Sequence, residues 1–254
     1  MAEGESGSAE RTIPLITPRV LAGLGVIALA QGVLTAACVL PTFSLFSIPV
    51  LPQALTGMTL ALTLLLVPAW SDDPRAALES RAQHFGRCLF ISIWLAAALA
   101  FFLLIATRVT PTEGGRILRA ALILGATAWI AQALARSWSN AYFGIVLFWA
   151  VIIPMSAFVV AEVFISTPSG SMGWSRAKGP GVNGFRTSVE WLLRFSPGTA
   201  LIGTLNGKLP GEAPCGWREA GAFAAACVLC GGLLQWRSAP AGQPTTADKA
   251  SAPA

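Results

Sequence analysis

The sequence predicts an all-α, polytopic integral membrane protein with six transmembrane helices and an amphipathic, re-entrant helical segment between the fifth and the sixth. Three observations carry that expectation. The mean hydropathy is +0.65, 54% of residues are hydrophobic and only 11% are charged, whereas about a quarter are charged in an ordinary soluble domain. Five apolar blocks, each long enough for a hydrocarbon core that takes about 20 helical residues, come in close succession. A sixth, weaker block comes only after a long, mostly polar connection from Ser166 to Gly216. Helices are the form open to such blocks, because the unpaired backbone groups of a loop or an open sheet edge are not sustained in lipid.

Residues 1–15 are small, polar and acidic and read as a disordered tail, and 16–237 read as one membrane domain. The first span is placed at 20–40 and read as uncleaved. The region ahead of it carries Glu3, Glu5 and Glu10, and its apolar run exceeds the about 7–15 residues of a signal-peptide core. The second span, 48–70, has Pro52 near its start and Pro68 near its end, where a missing backbone donor costs least. A charged connection, SDDPRAALESR, comes next; Asp72 and Asp73 before Pro74 form a helix-start signal, so a short surface helix is expected. The third span is 88–107 and the fourth 117–135, with Arg119 in its first turn able to snorkel. The fifth, 141–165, holds Pro154 in its middle, and a kink is expected there.

The long connection has its own order. Ser166–Gly184 is rich in Ser, Gly and Pro and reads as flexible. Thr187 and Glu190 then have capping-box spacing, and Phe185, Val189, Leu192 and Leu193 share one helical face, which gives a short amphipathic helix at the interface. Ser196-Pro197 restarts a helix, serine as cap and proline at the first helical position. The restarted segment, GTALIGTL, is apolar but too short to cross, so it dips into the membrane edge and returns. The sixth span, 220–236, is rich in Gly, Ala and Cys and suits close helix packing. Residues 238–254 read as a disordered tail.

Little in the chain can do chemistry. The single histidine, His84, stands in a charged connection and reads as a solvated polar residue with no second ligand spaced to help it. Cys227 and Cys230 form a C-x-x-C within an apolar span and read as packing residues, since no thiolate-stabilising charge is near. A disulfide between Cys38 and Cys215 stays open. No phosphate-binding Gly-rich loop, nucleophile elbow or zinc-protease motif is present. No catalytic residue, metal site or cofactor is therefore expected.

Glu162 is the deepest ionisable group, but it lies near the end of the fifth span and reads as an interfacial anchor rather than a proton carrier. The net charge of +5 is scattered, with no Lys/Arg-rich run, so lipids rather than nucleic acid are expected to meet it. Counting Lys and Arg gives eight on the N-terminal side against nine on the other. Six of the nine lie in or at the end of the long connection, whose middle counts little, so the balance leans towards cytoplasmic termini.

Three phrases resemble the membrane subunits of ABC-2 type exporters, in a reduced form. The second span ends LTLLLVPAW before SDDPRAALESR. The fourth and fifth read ALILGATAWIAQALARSWSNAYFGIVLFW, a small-residue helix, a Ser/Arg turn and an alanine opening the next helix. Before the last span stands LLRFSPGTALIGTL, similar to the short re-entrant segment of that family. The resemblance spans about Gln53 to Trp236. It implies a permease subunit in a bacterial cytoplasmic membrane, paired with a second permease subunit and driven by a cytoplasmic ATPase. On that basis Asp72, Asp73, Arg75, Glu79 and Arg81 would dock the ATPase, and Ser196, Pro197, Thr199 and Leu201 would belong to an external re-entrant segment. One departure stands out: only 17 residues separate Trp70 from Cys88, where that family has a longer inner segment with a coupling helix. The alternative reading is a non-catalytic accessory subunit of a larger membrane complex of redox or photosynthetic type.

Overall fold

The computed structural model describes residues 16–39, 51–71, 81–153, 194–206 and 216–238. These are helices and short turns, with no strand among them. The long helices are α1 (Pro18–Val39), α2 (Leu51–Ser71), α3 (Arg81–Ala106) and α4 (Gly114–Ser137). A single 3-10 turn, Ser139–Ala141, leads into α5 (Tyr142–Leu147), which continues as a π-helical turn over Phe148–Ile152. α6 is Pro197–Asn206 and α7 is Trp217–Ser238. Five of these, α1 to α4 and α7, are long and apolar enough to cross a membrane.

Named contacts fix the direction of each helix between two ends of the bundle. Trp70, late in α2, packs on Gly23, early in α1. His84, early in α3, lies 3.0 Å from Arg136, late in α4. These four helix ends define one end of the bundle, the Arg136 end. At the other end, Arg116 Nη1 at the start of α4 donates to the Leu205 carbonyl late in α6 (3.1 Å), and Gln53 Nε2 at the start of α2 donates to Asn206 Oδ1 (2.9 Å). Arg119 also stands over the Trp217 ring, 5.4 Å from its centroid, so α7 begins at this Arg116 end and runs parallel to α4.

α4 is the hub. Of its most apolar stretch 72% is buried, against 33% for α1, α3 and α7 and 44% for α2. Its sequence is built for that place: Ala120, Ala121, Ala126, Ala128, Ala131, Ala133 and Ala135 are all buried. Lipid tails are as apolar as leucine, so association in a membrane depends on close packing, which small side chains permit. A Cβ at Gly125 would stand 3.2 Å from the Ser92 carbonyl oxygen of α3 and 3.3 Å from Ala96 Cβ. On the other flank, Trp129 of α4 fills the notch left by Gly231 of α7. A Cβ there would come within 2.6 Å of Trp129 Cδ1 and 3.1 Å of Ile130 Cα. The same indole donates Nε1–H to the Val228 carbonyl (3.3 Å), and Gln235 Nε2 donates to the Trp129 carbonyl (3.3 Å). Thus Val228, Gly231 and Gln235 form one face of α7 wrapped around one tryptophan.

Pro68 is inside α2, within its last turns, near the end of the second span as the sequence places it. It has no N–H for the Leu64 carbonyl four residues earlier. The hydroxyl of Tyr142, the only tyrosine in the chain, donates to that carbonyl at 2.8 Å and is itself fully buried. The π-helical turn Phe148–Ile152 comes just before Pro154, the position where a kink is expected and which itself lies outside the described residues. The fifth span beyond Ile153 lies outside the described residues.

Candidate functional site

Three regions of the bundle gather polar groups, one at each end and a seam between α1 and α2. At the Arg136 end, α3 begins ahead of its apolar block, so His84 and Arg87 belong to its first turns and face inward. His84 is 2% exposed and Arg87 3%. The expectation of a solvated His84 is therefore corrected: the helix starts early enough to carry the ring under the end of α4. Arg136 Nη1 donates to Nδ1 of His84, which makes that nitrogen an acceptor, and Cys88 Sγ lies 3.8 Å from Nε2. Gln132 ties the next layer, its Nε2 within reach of the Cys88 carbonyl (3.3 Å), Ser92 Oγ (3.4 Å) and the Ala128 carbonyl (3.1 Å). Trp70 and Ser71 close the cluster from α2. It is a tightly filled polar plug, with room for no ligand.

Of the residues expected to dock a partner at this end, Asp72, Asp73, Arg75 and Glu79 lie outside the described residues, as does Glu162. Arg81 is the first residue of α3. The connection that would carry them leaves from Ser71, which lines the His84–Arg87–Arg136 cluster.

At the Arg116 end, the short helix that the Ser-Pro signal predicts is present as α6, with Pro197 at its first position. Ser196 departs from its expected role. Its hydroxyl is buried and makes no hydrogen bond, while its carbonyl accepts from the Ala200 amide (2.9 Å) and from Thr199 Oγ1 (3.1 Å). Pro197 and Leu201 are buried against the bundle. α6 starts beside the middle of the α5 stretch: Trp149 Nε1 donates to the Phe195 carbonyl (2.5 Å), and Gly198 faces the Ala150 carbonyl. It then rises to the Arg116 end, where Arg116 holds the Leu205 carbonyl while pairing with Glu113 at 3.2 Å. Carbonyls in the last turn of a helix lack intrahelical donors, so this arginine satisfies one of them.

Between the starts of α6 and α7 lies a cleft of about 460 Å³, lined by Arg194, Phe195, Arg218, Glu219, Ala222 and Phe223. Glu219 is committed to the start of α7, accepting from the Gly216 amide at 2.9 Å. Phe223 is held by parallel stacking on Trp149, ring centroids 6.4 Å apart.

Near the middle of α1 and α2 runs a polar seam. Gln31 Nε2 donates to Thr59 Oγ1 (2.8 Å), and Thr59 donates to the Leu55 carbonyl (2.7 Å). Gln31 Oε1, Thr35 Oγ1 and Thr63 Oγ1 are buried there without a hydrogen bond. Sequence reasoning misses this seam, because neutral residues spread over two spans give no charge signal; threonine at 59 and 63, one helical turn apart, is the available clue. Among the described residues no group of three or more His, Cys, Asp or Glu is placed to hold a metal ion. Cys227 is buried and Cys230 exposed, and both are free thiols. Cys215 lies outside the described residues.

Comparison with protein families, with curated proteins and with solved structures finds no match to this chain.

Proposed function

We propose that this chain is an ABC-2-like permease subunit, one half of an export pathway whose energy comes from a separate ATPase. The observation that carries the reading is α6: a short helix that begins at Ser196-Pro197 beside Trp149, buried within the bundle, and emerges at the Arg116 end. That is the behaviour of a re-entrant segment closing one mouth of a pathway. A sixth crossing is supported by chain direction. α4 finishes at the Arg136 end while α6 finishes and α7 starts at the Arg116 end, so the chain between Trp138 and Asn206 must pass from one end to the other. With the Arg136 end cytoplasmic, both termini are cytoplasmic and the α6 mouth is external, in a bacterial inner membrane.

The accessory-subunit reading draws support from a different observation. Phe143, Leu147, Phe148 and Val151 of the α5 stretch are about half exposed, a flank that a neighbouring membrane chain could cover. Purification in mild detergent separates the two. Co-purification of an ATP-binding-cassette ATPase at a fixed ratio is the expected result; a large complex of other membrane chains with no ATPase would overturn the export reading.

A further inference from the structure

The cleft between the starts of α6 and α7 has an unbalanced chemistry. Two arginines line it, and among the described residues neither Arg194 nor Arg218 has a hydrogen-bond or ion-pair partner; Arg194 Nε is buried in that condition. Its one carboxylate, Glu219, is engaged by the Gly216 amide. Arg218 is the second residue of α7, and Arg194 stands three positions ahead of α6. Arg218 thus lies at a helix start, where the dipole is positive and a further positive charge is disfavoured, whereas Arg194 and Phe195 are the helical residues that precede the bend at Ser196. Charge-assisted hydrogen bonds from guanidinium to phosphate are the strong remedy for such a site. The rest of the lining is apolar: Phe195, Ala222 and Phe223. Along α7, Ala222 and Phe223 lie one turn below Arg218, away from the Arg116 end. Nearby Trp217 is 54% exposed, as expected of an aromatic ring at headgroup level.

One cation at the start of α7, a second deeper in the cleft and an apolar wall beside them match an anionic amphiphile rather than a bare ion. We propose that this cleft binds an anionic phospholipid, its phosphate between Arg194 and Arg218 and one acyl chain against Phe195, Ala222 and Phe223. The site does not depend on the export reading, since any membrane protein with this cleft would carry it.

The test uses the full chain in detergent, titrated with dioleoyl phosphatidylglycerol, dioleoyl phosphatidylcholine or inorganic phosphate while thermal unfolding is followed. Phosphatidylglycerol is expected to raise the midpoint saturably, and the other two are expected to have little effect. Arg194→Gln and Arg218→Gln should each weaken the apparent affinity about tenfold. Arg108→Gln, a charge outside the cleft, should not. Ala222→Leu keeps both arginines but fills the apolar wall and should also weaken binding, which keeps the proposal testable if an arginine variant fails to fold. An equal response to phosphatidylcholine, or retained affinity in the Arg194→Gln/Arg218→Gln double variant, would overturn the proposal. An equal response to inorganic phosphate would overturn it in favour of a free anion.

Discussion

Gly231→Val is expected to lower the unfolding midpoint by about 6–12 °C, the largest effect of any single substitution considered. The added Cβ alone would meet Trp129 Cδ1 at 2.6 Å and, more seriously, the Ile130 backbone at 3.1 Å. An indole can rotate away, but a helix backbone moves only by separating α4 from α7. That separation would also strip the Trp129–Val228 and Gln235–Trp129 hydrogen bonds. Overpacking of this kind costs about 3 kcal/mol, and for a chain of this size each kcal/mol shifts the midpoint by about 2–4 °C. Thermal unfolding in detergent, read by size exclusion, checks the value. Gly232, one residue on, has open space around its Cβ position, so Gly232→Ala should leave the midpoint within about 1 °C. Equal losses at both positions would mean that helix propensity, not the α4–α7 contact, sets the cost.

The second expectation concerns Tyr142 and Pro68. Removing the tyrosine hydroxyl leaves the Leu64 carbonyl with neither its helical donor nor a side-chain one. Hydrogen bonds between membrane helices average about 0.6 kcal/mol and reach about 1.7. The upper figure applies here because no second donor remains, so Tyr142→Phe should cost about 1.5 kcal/mol. In a Pro68→Ala background the alanine amide can serve Leu64 in the ordinary i to i−4 manner. The same tyrosine change should then cost less than about 0.5 kcal/mol. A double-mutant cycle by unfolding in mixed micelles measures the difference. If the two costs are equal, the tyrosine acts by packing alone and the compensation of proline is refuted.

These two contacts show where the sequence is informative and where it is not. Block lengths locate the five long helices because crossing a hydrocarbon layer imposes one length scale on every span. The Ser-Pro signal locates α6 because proline at a first helical position is a local constraint, independent of distant partners. By contrast, His84 is misplaced by sequence reasoning because the charge around it resembles a loop, whereas its burial depends on Arg136 in another helix. The partner of Pro68 is 74 positions away at Tyr142. A proline inside an apolar block announces a freed carbonyl but not who serves it, although a lone tyrosine in such a chain is a fair candidate. The cleft at Arg194 and Arg218 needs the folded chain too, since the two residues stand on separate helical segments that meet only in three dimensions.

The export pathway requires the start of α4 and the end of α6 to share one membrane face and the end of α4 to lie on the other. Single cysteines placed at Gly114, Asn140 and Asn206 in a cysteine-free background, labelled with a membrane-impermeant maleimide in intact bacterial cells and in inverted vesicles, measure that directly. All three positions are exposed. The expected result is that Gly114→Cys and Asn206→Cys label from one face and Asn140→Cys only from the other. Labelling of Asn140→Cys and Asn206→Cys from the same face would contradict a crossing between them, and with it both the re-entrant α6 and the export reading.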